Sequence, residues 1–258
     1  MGDIAMRAEG KREAPTSPPN RRVLAEELLL VLALSLLPSA ILAFLDLFRA
    51  PVNATQAVGT FPSLTNLYFL KTLTEVVFLA TPVWLVVHLV RRSGEGTVAV
   101  GLTAGRIPGD VLRGVVVATV VGAAGAALYI AAVNLGVNRI VVPVPPLGYW
   151  WTVPLLILSA VANALLEEVV VVGYMLTRLR QIGWGIAGAV AASASLRGTY
   201  HLYQGWGGFT GNLAMGVLFA LLFLRWRRTW PLVVAHTLLD VGAGVLWIAF
   251  DGRIPGIS

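Results

Sequence analysis

The chain contains no cysteine. Disulfides, thiolate metal sites and a cysteine nucleophile are therefore excluded. Charge is scarce too: Asp, Glu, Lys and Arg make up 12% of the 258 residues, against about 25% in a soluble domain. Lysine is nearly absent, with Lys11 and Lys71 beside 17 arginines. No HExxH motif occurs, so a zincin arrangement of zinc ligands is not expected. No apolar stretch opens the sequence, and an ordinary cleaved signal peptide is not expected either.

What fills the chain instead is apolar. Hydrophobic residues make up 57% and the mean hydropathy is +0.79. The apolar runs are about 20 residues long and end at Arg or at Pro and Gly, which is the length a helix needs to cross a bilayer. They are too long and too continuous for barrel strands. The fold class expected is all-α, a polytopic transmembrane helical bundle of about seven spans, seven to eight. The spans are expected at 23–47, 66–90, 111–136, 150–180, 184–204, 208–226 and 231–250. Residues 1–22 read as a disordered cytoplasmic tail, 23–145 as N-terminal spans and 146–258 as a C-terminal core of catalytic type.

The formal charge of +6 does not point to nucleic acid, because the arginines sit beside spans. Arg7, Lys11, Arg12, Arg21 and Arg22 precede the first span. Arg91, Arg92, Arg106 and Arg113 follow the second, Arg178 and Arg180 the fourth, and Arg225, Arg227 and Arg228 the sixth. The intervening loops hold only Arg49 and Arg139, and Arg253 lies at the end. This alternation puts the N-terminus in the cytoplasm and the C-terminus outside. The bias to Arg, Ala, Val and Gly fits a high-GC genome, hence a bacterial plasma membrane. The expected partners are the lipid bilayer and a membrane-associated protein or peptide; the sequence does not fix an oligomeric state. Small residues at Gly122, Ala123, Gly125, Ala126, Gly207, Gly211 and Gly216 read as close helix contacts, a packing feature.

Ionisable residues left inside spans are costly, so each needs a reason. Lys71 and Glu75, four apart, read as an ion pair near the outer surface. Glu26 and Glu27 sit beside Arg21 and Arg22, and His88 reads as interfacial. Spans four, five and seven are different: they carry Asn163, Glu167 and Glu168, then Arg197 and His201, then His236 and Asp240. A turn at Gly183-Trp184-Gly185 is the midpoint between Glu167 and His201, which places both at one depth, roughly 25 Å from the turn. His236 and Asp240 share a face at i and i+4. Asn163, one turn before Glu167, reads either as orienting that carboxylate or as a helix–helix hydrogen bond. The set is expected to line a polar cavity open to the cytoplasmic half of the bilayer. Glutamate, histidine and a second carboxylate are the equipment for activating water, by general base or by metal.

These residues carry a resemblance. Glu167-Glu168-Val-Val-Val-Val172, Arg197-Gly-Thr-Tyr-His201 and His236-Thr-Leu-Leu-Asp240 follow, in order and on three successive polar spans, the pattern EExxxR, FxxxH and HxxxN or HxxxD. Over residues 150–250 the chain resembles the CPBP family of intramembrane proteases, which includes the type II CAAX prenyl endopeptidases. The resemblance implies that Glu167 and His201 activate the attacking water. It implies that His236 and Asp240 bind the oxyanion or orient the site, and that Glu168 pairs with the motif arginine. A single divalent metal such as Zn²⁺ on Glu167, His201 and His236 and a metal-free glutamate mechanism both fit the family. No CAAX substrate is implied.

The sequence departs from the pattern twice. Val172 stands where the family has arginine, and Arg197 where it has phenylalanine. Both are expected at similar depth on neighbouring helices, so Arg197 is expected to bring span four the guanidinium it lacks and hold Glu168 in a bidentate pair. Asp240, unlike asparagine, donates a hydrogen bond only when protonated, which favours an orienting role. Two other readings use the same residues: a noncatalytic scaffold or immunity-type relative, and a proton-coupled transporter. No inverted repeat supports the transporter.

Overall fold

The computed structural model describes residues 20–48, 56–57, 65–142 and 149–250. Most of the expected tail, with Arg49 and Arg253, lies outside the described residues. Helix α1 (Arg21–Ala33) begins at Asn20, whose side chain accepts the Arg22 N–H at 3.0 Å. Helix α2 (Leu36–Asp46) follows at a bend of 53°. The cause is local: Ser35 Oγ donates to the Val31 carbonyl at 2.6 Å, and Pro38 brings no N–H to the ladder. Then come α3 (Thr65–Arg92), α4 (Ile107–Asn134) and α5 (Thr152–Leu165). Helix α5 runs through a π-helical stretch, Leu166–Tyr174, into α6 (Met175–Gln181) as one 30-residue rod. Helices α7 (Ile186–Tyr200), α8 (Trp206–Trp226) and α9 (Trp230–Ala249) complete the bundle. A two-residue parallel pairing of Gln56–Ala57 with Val141–Val142 is the one named sheet among the described residues.

Five of these helices, counting the α5–α6 rod once, are long and apolar enough to cross a membrane, or six if the bent α1–α2 pair is one span. The described residues are thus almost entirely helical, and the chain is an integral membrane protein. The expected count of about seven is not reached among the described residues, and the difference lies at 184–204. There α7 has 15 residues, about 22 Å of helix against a hydrocarbon core of about 30 Å. The chain leaves the helix at His201 and makes a short turn, Leu202–Gln204, before α8. Gly205 takes φ +99 there, a conformation that only glycine adopts without strain.

The α5–α6 rod is the axis of the fold. An apolar 18-residue stretch of it is 67% buried, against 28% or less for such stretches of the other spans. Helix α7 packs on α8 and α2, and α9 packs on α4 and α5. Helices α7 and α8 come close because Gly216 has no side chain: a Cβ there would lie 3.0 Å from Ala194 Cα and 3.2 Å from Arg197 Cδ. The packing reading of Gly216 therefore holds, whereas a Cβ on Gly125 would meet open space. Gly216→Leu should push α8 off α7 and destabilise the fold by about 1–3 kcal/mol. Thermal unfolding in detergent reads this, and an unchanged midpoint would show that α8 does not press on Arg197.

One end of the bundle is tied by ions. Arg178, fully buried, donates to Glu95 Oε2 at 2.5 Å and to Gln181 Oε1 at 2.6 Å. Burial works to raise the Glu95 pKa, but the donors Arg178, Ser93 and Gln181 outweigh it and hold it below its ordinary value. Arg228 grips Asp110, and a Cβ on Gly183 would lie 3.5 Å from the Arg21 guanidinium. Thr229 Oγ1 donates to the Val100 carbonyl at 2.5 Å, and Thr177 Oγ1 to that of Ala99 at 3.0 Å. The segment between α3 and α4 is thereby strapped across this arginine-rich end. Elsewhere Lys71 and Glu75 form the expected pair, at 2.8 Å and half exposed.

Candidate active site

The centre of the rod carries the two glutamates at the start of its π-helical stretch. Such stretches are rare and shift side chains relative to a regular helix. Ser193 Oγ on α7 donates to the Val171 carbonyl at 2.9 Å, which fixes the register of α7 against the rod. Arg197, one turn further along α7, is then level with the glutamates.

Arg197 is fully buried, over the ring of Phe219 at 5.2 Å. Its Nη1 donates to Glu168 Oε1 at 2.8 Å, and Nη2 lies 3.3 Å from Glu167 Oε2. The arginine is where it was expected, with one difference: its fork bridges the two glutamates and is not bidentate on Glu168. Val172 lies four residues beyond Glu168 in the rod and is buried among apolar neighbours.

His236 arrives from α9. Its Nδ1 lies 2.8 Å from Glu168 Oε1, and 3.2 Å from Arg197 Nη2. A carboxylate only accepts, so Nδ1 bears the proton and donates it to Glu168. The Arg197 contact is thus a close approach of two donors, Nη2 paired with Glu167 Oε2 and Nδ1 with Glu168 Oε1. His236 Nε2 is 3.6 Å from Asp240 Oδ1, and Asn163 Nδ2 donates to Asp240 Oδ2 at 3.4 Å. Asn163 therefore makes the helix–helix hydrogen bond of its two readings, and its partner is Asp240, not Glu167.

His201 stands at the end of α7. Its Nδ1 donates to the Arg197 carbonyl at 3.0 Å, so a neutral ring presents Nε2 as an acceptor. Contact with Glu167 comes instead from the preceding residue: the Tyr200 hydroxyl donates to Glu167 Oε2 at 2.7 Å. Tyr200 was not singled out from sequence. A tyrosine in an apolar helix is ordinary, and only its place beside a motif histidine marked it.

Two expectations are corrected. The first concerns the opening of the site. Towards the arginine-rich end it is closed by Val170, Val171, Leu176, Phe223, Leu232 and Val100, all fully buried. Its partly exposed members, Asn163, His201 and Asp240, lie away from that end. Straps from the α3–α4 segment close the half where a cavity was expected. The second concerns metal ligands. Oxygens and a nitrogen of Glu167, Glu168 and His236 lie within 4.8 Å of one another; among the described residues His201 is not part of this group, and Glu168 takes its place.

That donor triangle has a chemistry suited to Zn²⁺. The Arg197 fork, however, already lies against the same three side chains, within 2.8–3.3 Å. A divalent ion about 4 Å from a guanidinium meets repulsion on the order of 8 kcal/mol at an effective dielectric of about 20. An ion in the triangle would have to displace the Arg197 fork from these side chains.

The stretch that holds this constellation, residues 149–242, matches the family model of the type II CAAX prenyl endopeptidases, Rce1-like. The match upholds the resemblance read from the three motifs over the part of the chain that carries them. It supports a peptidase at the level of class, since the matched family is one of endopeptidases. No curated protein and no solved structure matches the chain.

Proposed function

We propose that the protein is an intramembrane endopeptidase that hydrolyses a peptide bond of a membrane-associated protein or peptide. One observation carries this reading. Three helices bring the buried Glu167, Glu168, Arg197 and His236 together with the partly exposed Asp240, at the motif positions of an endopeptidase family. Buried charges that only held helices together would be poor stabilisers compared with apolar residues. An arrangement of four such groups, with Asp240 at its edge, is better explained by chemistry.

Glu167 is the general base. Its Oε2 already accepts from Tyr200 and is ion-paired to Arg197, so Oε1 is the oxygen that takes a proton from water. His201, with Nδ1 committed to a carbonyl, offers Nε2 to the same water. The water oxygen bonds to the peptide carbon, and its proton passes to Glu167. As the C–N bond breaks, that proton leaves with the amine nitrogen. His236, held by Glu168, and the Arg197 guanidinium supply positive charge towards the oxyanion. Asp240, tied by Asn163, orients His236 from its other nitrogen. Glu168 has no exposed surface and serves as the anchor of the two cations. The arginine-rich end faces the cytoplasm of a bacterial cell, by the positive-inside rule.

The test is cleavage of membrane-anchored peptides by the purified protein in liposomes, with and without a strong chelator. Cleavage is expected and is retained in chelator, because Arg197 provides the charge. Loss on chelation, restored by Zn²⁺, would overturn the metal-free assignment. The absence of cleavage across a broad peptide library would count against the peptidase itself.

A further inference from the structure

We propose that Tyr200 is a positioning residue for the base: it fixes which oxygen of Glu167 takes the proton. This deepens the peptidase reading and rests on it. Tyr200 is the last residue of α7, with 5% of its surface exposed. A buried hydroxyl requires a partner, and this one donates its single proton to Glu167 Oε2 at 2.7 Å. The same oxygen lies 3.3 Å from Arg197 Nη2. The hydroxyl hydrogen bond and the ion pair both act on Oε2 and hold the carboxylate from turning over. Oε1 is left for water.

Packing alone does not ask for the hydroxyl, since phenylalanine would fill the same space. The ring also stands 4.8 Å from that of His201, tilted by 43°. Base and neighbouring histidine are thus held by adjacent residues of one helix end. Without the hydroxyl, Glu167 keeps only the ion pair with Arg197. It can then rotate, and both its oxygens can be captured by the guanidinium fork, which would leave no oxygen aimed at water.

The experiment uses the full-length protein in liposomes and four forms: wild type, Tyr200→Phe, Glu167→Asp and the double variant. A hydrogen bond to a charged group contributes roughly ten- to a hundredfold. Tyr200→Phe should lower kcat by about that factor, with KM unchanged and the folded fraction equal to wild type. In the Glu167→Asp background, where the shorter acid is already out of reach of the hydroxyl, the same change should cost nothing further. Equal loss in both backgrounds, or turnover at the wild-type rate, would overturn the proposal. So would a loss of activity that merely follows the loss of folded protein. The melting midpoints of the same four forms test the contact without any turnover: the two single shifts should not add. If the wild type cleaves nothing, the peptidase reading fails; additive midpoints would then overturn the Tyr200 contact separately.

Discussion

Arg197→Met should melt at a markedly lower temperature than the wild type and lose cleavage altogether. Methionine keeps much of the length and volume and removes the charge. Two carboxylates, of which Glu168 is fully buried, are then left without their cation. Removing one partner of a buried ion pair costs about 3–5 kcal/mol. The companion result separates charge from packing. Adding Glu168→Gln to Arg197→Met takes away the orphaned charge, so stability should recover in part although cleavage does not. If Arg197→Met melts like the wild type, the buried fork is not what holds α7 to the rod. Thermal unfolding in detergent, followed by circular dichroism, measures all three forms.

The two glutamates, adjacent in sequence, should behave differently. Glu167→Gln should lower kcat by about 10²–10⁴-fold, the usual effect of losing a general base. Its stability should change little, since the amide oxygen still accepts from Tyr200 and Arg197 keeps its hydrogen bond to Glu168. Glu168→Gln should instead destabilise strongly, because it removes the counter-charge that Arg197 and His236 share. Steady-state cleavage and melting midpoints, measured on one preparation of each, distinguish the roles. Equal effects of the two substitutions on both readouts would contradict the division of labour.

Much of the site was legible because charge is so expensive in an apolar helix. Glu167, Glu168, Arg197, His236 and Asp240 stand out against their runs, and a turn at Gly183 fixes which of them are level. The exchange of Val172 for Arg197 was visible for the same reason. Other features were not legible because they depend on packing. The π-helical stretch falls on a run of valines, whose pattern has no period to distinguish it from an α-helix. The end of α7 was missed because hydropathy counts apolar residues and does not see the chain turn at His201–Gly205. The closure of the arginine-rich end depends on where the α3–α4 segment docks, through Thr177 and Thr229. The partner of Asn163 depends on the rotation of α9, which no local signal sets.

The central claim is that Glu167 activates water against a peptide bond. The most direct measurement places the wild type and Glu167→Gln in identical liposomes with a membrane-anchored peptide library, in heavy-oxygen water, and identifies the products by mass spectrometry. The account predicts new peptide ends from the wild type, each new carboxylate carrying one heavy oxygen, and none above background from Glu167→Gln. Equal yields from the two proteins would contradict it.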